Sequence, residues 1–230
     1  LSSVRNSTSN FEVLSKKDKI IVILRKLRNG IIFFTHFHGI IIFGGYPYPE
    51  YEKDGYYQRV KYIDSLFHEI NRIYIGGINL PGKSTWYDRP SPNVLVLNLN
   101  CNQKRRWFVQ MCVILCLVRT HIIYFHSILA VRGRKTEILM RLPGFTKIVD
   151  IHGVVPEEFE YYNDINNQQI YNKIEENAIK NANYIIVVTN AMQRHFEAKY
   201  NGIIRGKFIL LPIFQKITEG KLNKVYKDNK

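Results

Sequence analysis

A chain of 230 residues that is 46% hydrophobic and 13% aromatic can bury a real core, which excludes wholesale disorder. Its formal net charge of +14, from 33 Lys and Arg against 19 Asp and Glu, favours anionic partners: nucleic acid, anionic lipid headgroups or nucleotide diphosphate sugars. The basic residues fall in dispersed clusters, which argues against a dedicated DNA-reading helix, so a nucleic-acid-binding α/β protein would rest on charge alone.

Residues 1–15 are rich in Ser and Asn and read as loose. Residues 16–29 read as a basic and apolar helix, either packed on the domain or lying on an anionic membrane surface. Residues 40–43 read as a strand ending in Gly44-Gly45, followed by a Tyr/Pro loop, YPYPEYEK. Asp54 is placed to cap a helix over residues 55–69 whose apolar face is Tyr57, Val60, Ile63, Leu66 and Phe67. Further strands are expected at 72–75, 93–99, 122–125, 147–151, 184–188 and 208–211, with a Gly- and Pro-rich loop at 79–91. Helices are expected at 103–119, 137–142, 167–181 and 191–200, the last capped by Thr189.

The segments IIYF, KIVDI, YIIVV and FILL lack period-two alternation, as do the largely apolar strands of a sheet covered on both faces. Strands alternating with helices imply parallel crossovers, so the expected fold is α/β, doubly wound and mostly parallel. The three cysteines, Cys101, Cys112 and Cys116, are odd and sparse in number, which points to a reduced compartment and ordinary buried thiols. No stretch reaches the ~18 consecutive apolar residues of a spanning helix.

Ligands of open parallel sheets bind beyond the carboxyl ends of the strands, which selects a few loops. Gly44 and Gly45 form either a binding loop, where backbone approaches a ligand closely, or a simple turn. Tyr46, Tyr48, Tyr51 and Tyr56 can stack on sugar rings or merely pack. In Asp150-Ile151-His152-Gly153, the imidazole is positioned to hydrogen-bond a polar ligand or to serve the structure, and Gly153 permits close backbone approach. Glu157 and Glu158 are candidate acid/base groups, although acids complementing a helix N-terminus explain them better. Glu175 and Glu176 sit deep in a helix, where salt bridges or exposure are the default. No Asp/Glu cluster suited to a metal is visible, so no metal is called for.

The run IVDIHGVVPEEF, then IEENAIKNANYIIVVTNAMQRHFEAKY, then FILLPIFQK, resembles the second half of the N-terminal domain of family 4 glycosyltransferases with the GT-B fold. The GGYP…DGYYQRV segment is similar to that family's glycine-rich first loop and following helix. The resemblance spans residues 40–216 and is most specific over 148–213. It implies a single Rossmann-like lobe at 38–216, on the acceptor side of a two-lobe enzyme. It also implies an N-terminal extension at 1–37, the start of an interdomain linker at 217–230, and a donor-binding C-terminal lobe absent from this sequence.

The implied activity is retaining transfer of a sugar from a nucleotide sugar to a saccharide or lipid-linked saccharide acceptor in polysaccharide biosynthesis, inactive without the second lobe. The alternative is a non-catalytic acceptor-binding subunit or relic of such an enzyme. By the resemblance, His152 contacts the donor sugar as the catalytic residue, Gly44 and Gly45 face the donor diphosphate, and Asp54, Arg59, Asp150 and Gly153 contribute to substrate binding. The Tyr/Pro insertion after Gly45 departs from the family pattern. No cofactor beyond the nucleotide sugar is implied and no nucleic acid is expected as a partner. The expected location is the cytoplasm, peripheral at the inner membrane face.

Overall fold

The computed structural model describes residues 37–49, 55–76, 87–98, 120–132 and 134–212. The expected helices at 16–29 and 103–119, Asp54, Tyr51, the three cysteines and the linker at 217–230 lie outside the described residues.

Among the described residues, eight strands form one sheet: β1 (Gly39–Phe43), β2 (Asn71–Gly76), β3 (Tyr87–Ser91), β4 (Val94–Asn98), β5 (Ile122–Phe125), β6 (Thr146–Ile151), β7 (Tyr184–Val187) and β8 (Lys207–Leu210). Their spatial order is β3-β4-β2-β1-β5-β6-β7-β8, and every pairing is parallel except β3 with β4. Five α-helices accompany them among the described residues: α1 (Gly55–Leu66), α2 (Arg134–Arg141), α3 (Val155–Tyr161), α4 (Ile165–Asn181) and α5 (Asn190–Lys199). A short 3-10 turn (Ile128–Val131) follows β5. No described helix is long and apolar enough to cross a membrane.

The apolar strands supply both faces of the sheet. Ile41, Phe43, Ile73, Ile75, Ile123 and Phe125 point into one core with residues of α2, α4 and α5. Ile40, Ile42, Tyr74, Tyr124 and Ile186 point into the other, beneath Val60 and Ile63 of α1. Alternate positions on each strand therefore enter opposite cores, as the pleat requires. Ile41, Ile73, Ile123 and Ile185 are fully buried, and burial of each such side chain contributes about 1.5–3 kcal/mol.

Three differences from the sequence reading have physical reasons. The segment 79–91, read wholly as loop, contains β3, which turns back at Pro92 and Asn93 and runs antiparallel to β4 at the sheet edge. Pro90 is tolerated there because an edge strand need not donate on its outer side. A separate short helix, α3, precedes α4, with Pro156 in its first turn. Leu66, expected on the apolar face of α1, is half exposed, whereas Arg59 is buried in its place.

Local capping follows the sequence. Thr189 accepts a hydrogen bond from the Met192 amide at 3.1 Å, and Asp164 accepts one from the Asn167 amide at 3.1 Å, each opening a helix.

Candidate functional site

Counting the parallel strands in chain order, the chain first steps outward from β1 to β2 and β4. It then returns to β5 on the other side of β1 and steps away through β6, β7 and β8. The winding direction therefore reverses between β1 and β5. At such a switch point the two flanking connections diverge and leave a crevice at the carboxyl ends of the strands.

The residues that end those strands converge. Gly44 follows β1, His126 follows β5, and Asp150 and His152 stand at the end of β6. The His126 amide donates to the Phe43 carbonyl at 3.0 Å and the Gly44 amide to the Ile75 carbonyl at 3.2 Å, which locks the strand ends in register. A Cβ at Gly44 would stand 2.8 Å from the His126 Cβ, so this position has no room for a side chain. At Gly45 the nearest atoms would be 3.7 and 3.8 Å away, on Tyr57.

Asp150 is the centre of the cluster. Arg59 of α1 donates to it through Nη2 at 3.0 Å and Nε at 3.3 Å. The Tyr124 hydroxyl donates to Oδ2 at 2.6 Å. His152 Nε2 lies 3.0 Å from the same oxygen, at ion-pair distance but without hydrogen-bond alignment. Burial alone would raise the Asp150 pKa, but His152 and Arg59 outweigh it and bring the carboxyl down to about 2. Asp150 is thus a buried carboxylate at neutral pH, and its charge is met by a guanidinium bonded in the bidentate manner. Burial and the negative carboxylate together push the Tyr124 hydroxyl well above its ordinary range, so it stays a donor.

His126 is buried to 0% exposure, and neither ring nitrogen has a hydrogen-bond partner among the described residues. Its Nδ1 is 4.0 Å from Asp150 Oδ2. Its ring packs against Tyr56 at 5.1 Å and against His152 at 5.1 Å, centroid to centroid. Burial, then His152, lowers its pKa to about 3 against the pull of Asp150, so the imidazole is neutral.

The expected site residues therefore separate. Gly44, Arg59, Asp150 and His152 are brought to one place, with His152 partly exposed. Arg59 is buried and spends its guanidinium on Asp150 and on the carbonyls of Leu211 and Pro212 at 3.0 and 3.2 Å. It is thus a buried anchor of the Asp150 carboxylate. Gly153 borders it, with a Cβ there falling 2.9 Å from Glu158 Oε1.

Glu157 turns away to Lys199 Nζ at 2.6 Å and His195 Nε2 at 2.9 Å. Lys199 also bonds the fully buried Glu175 at 2.8 Å. Glu157 thus belongs to a structural network joining α3, α4 and α5. Tyr46 and Tyr48 pack edge to face, and the Tyr48 hydroxyl donates to Asp88 at 2.7 Å. His126 and Tyr124 were not anticipated. A histidine directly after an apolar strand, in IIYFHS, is the same signal that singles out His152.

His126, Asp150 and His152 each offer a ligand atom, and these atoms lie within 4.8 Å of one another. Such spacing suits a cation geometrically. The Arg59 guanidinium already occupies both oxygens of the carboxylate, however, and a second positive charge would be placed against it. The arrangement is better suited to hydrogen bonding than to metal coordination.

No protein-family model and no curated protein sequence matches the chain. Among solved structures, a sucrose-phosphate synthase from Thermosynechococcus elongatus is similar at a TM-score of 0.50 and 10% identity, over 76% of this chain and 48% of that one. The chain thus spans about half the length of that synthase. A second chain of the synthase from the same organism is covered to 97%, over 83% of this chain, at a TM-score of 0.45 and 10% identity. The likeness to the first is one of fold: an α/β architecture with a mostly parallel, doubly wound, Rossmann-like sheet.

Proposed function

We propose that the chain is the acceptor-side lobe of a nucleotide-sugar-dependent glycosyltransferase of the GT-B type, acting in polysaccharide or lipid-linked saccharide assembly. The observation that carries this reading is the meeting of Gly44 and His152 at one switch-point rim, where His126 bridges them. The fold shared with a sucrose-phosphate synthase and the family 4 resemblance over residues 148–213 support it.

In this reading His152 Nε2 sits 3.0 Å from the Asp150 carboxylate and the imidazole contacts the donor sugar. Gly44 and Gly45 let backbone approach the donor diphosphate. A second lobe, in the same polypeptide or a separate one, holds the nucleotide and supplies a glutamate pair. Transfer retains the anomeric configuration and needs no cofactor beyond the donor. The surplus of basic residues draws the lobe to a lipid phosphate acceptor on an anionic membrane face.

The test is transfer from a panel of uridine and guanosine diphosphate sugars to polyprenyl-phosphate-linked saccharides, by the chain together with a donor-binding lobe. Turnover is expected, and His152→Ala is expected to reduce it by about 10²-fold or more without altering thermal unfolding. Unchanged turnover in that variant removes His152 from the site, and absence of transfer from every donor removes the activity.

A further inference from the structure

His126 is the one buried imidazole of the switch-point cluster that the reading above leaves without a task. A buried polar atom without a partner costs about 1–3 kcal/mol, and here both nitrogens of one ring lie buried with no protein partner among the described residues. The ring is not placed by hydrophobic packing alone. Gly44 makes room for it on one side, Tyr56 closes it on another, and His152 and Asp150 flank it on a third.

The surroundings restrict what such a ring can bind. Asp150, a carboxylate 4.0 Å from Nδ1, disfavours an oxyanion such as a phosphate at that edge. Arg59, bonded through both oxygens of that carboxylate, disfavours a metal cation. A neutral imidazole carries one N–H donor and one acceptor nitrogen. The complementary group is neutral and can both donate and accept, which describes an alcohol hydroxyl.

We infer that His126 is a ligand-binding residue, and that the switch-point crevice receives a saccharide hydroxyl on its ring, reached past the half-buried Tyr56 and shared with His152. Taking the hydroxyl to be a saccharide's rests on the glycosyl-transfer reading, but the choice of a neutral ligand group does not. The low pKa of the ring agrees with this, since protonation would replace its acceptor by a second donor.

The test uses the 230-residue chain labelled with ¹⁵N at histidine. Ring nitrogen resonances are assigned by their loss in His126→Phe and His152→Phe. Glucose, galactose, mannose, fructose, inorganic pyrophosphate and zinc are titrated separately. The expected result is that at least one sugar moves the ring nitrogens of both His126 and His152. Its affinity should then fall about tenfold in His126→Phe, equivalent to about 1.4 kcal/mol, and recover partly in His126→Gln.

Three results overturn the inference: sugars that move His152 but never His126, which leaves His126 to a buried water; movement by pyrophosphate alone; or zinc binding abolished by Asp150→Asn. Should His126→Phe fail to fold, Gly44→Ala, which presses a methyl group on the His126 ring, is the substitute and is expected to weaken the same sugar. The two readings are separable. Sugar transfer that survives without any sugar-induced shift at His126 sinks this inference alone. A sugar-induced shift at His126 without transfer from any donor sinks the glycosyltransferase reading alone.

Discussion

The imidazole rings of His126 and His152 lie 5.1 Å apart, inclined by 60°, and both approach the same oxygen of Asp150. The two rings differ in exposure, and this sets their behaviour. His152 is reachable from solvent, whereas His126 is buried and neutral.

The buried neutral ring makes the fold acid-sensitive. In the unfolded chain His126 takes its proton at the ordinary 6.5, and in the folded chain only at about 3. Between those values the unfolded state binds more protons, so stability rises with pH, and acidification through this window costs up to a few kcal/mol. Asp150 acts in the same direction lower down: its contribution is present above 3.8 and is lost as pH falls toward about 2. The groups facing His126 are His152, Asp150, Arg59, Tyr56 and Tyr124. Urea unfolding between neutral pH and pH 4 should show a falling midpoint, and His126→Phe should flatten that fall. An unchanged slope in the variant would assign the acid sensitivity elsewhere.

Arg59 and Asp150, 91 positions apart, form a pair in which both members are almost wholly buried. Arg59→Met should destabilise the chain by about 3–5 kcal/mol, because it strands a carboxylate inside the protein. Arg59→Met combined with Asp150→Asn should be less damaging than the sum of the single changes. A double-mutant cycle by chemical denaturation measures this directly, and strict additivity would mean the two do not interact.

The adjacent glycines should respond differently to a methyl group. Gly44→Ala meets the His126 Cβ at 2.8 Å and is expected to cost about 1–3 kcal/mol. Gly45→Ala meets only ordinary contacts with Tyr57 and should fall within about 0.5 kcal/mol of the parent. Thermal unfolding of the two variants side by side decides the matter.

Lys199 holds two carboxylates at once, Glu157 at 2.6 Å and Glu175 at 2.8 Å. Burial raises the pKa of Glu175 in spite of that contact and the Tyr200 hydroxyl. Lys199→Met should therefore lower stability by about 1–3 kcal/mol at neutral pH. The deficit should shrink in mild acid, where Glu175 can take a proton. A deficit that is independent of pH would show that packing, not charge, is what Lys199 contributes.

The double winding was legible because IIYF and YIIVV are apolar throughout and KIVDI lacks period-two alternation, as strands covered on both faces do, although FILL, equally apolar, forms β8 with Ile209 and Leu210 exposed. β3 was not legible, since Asp88, Arg89 and Pro90 carry no strand signal of their own and acquire one only by pairing with β4. His152 and Gly44 could be chosen from their places at strand ends. His126 has the same placement, but its importance follows from β5 lying beside β1, a matter of spatial order that local pattern does not encode. Arg59 was legible as a residue of the right helix but not as a buried one. Its partner is on a strand far along the chain, and long-range pairing of this kind leaves no trace in periodicity.

Arg59 also donates to the carbonyls of Leu211 and Pro212, where the backbone departs from the last strand. One rigid planar group therefore joins the exit of the chain to the carboxylate beneath the imidazoles. Loss of this one side chain would therefore free both the Asp150 carboxylate and the backbone that follows β8 at a single stroke.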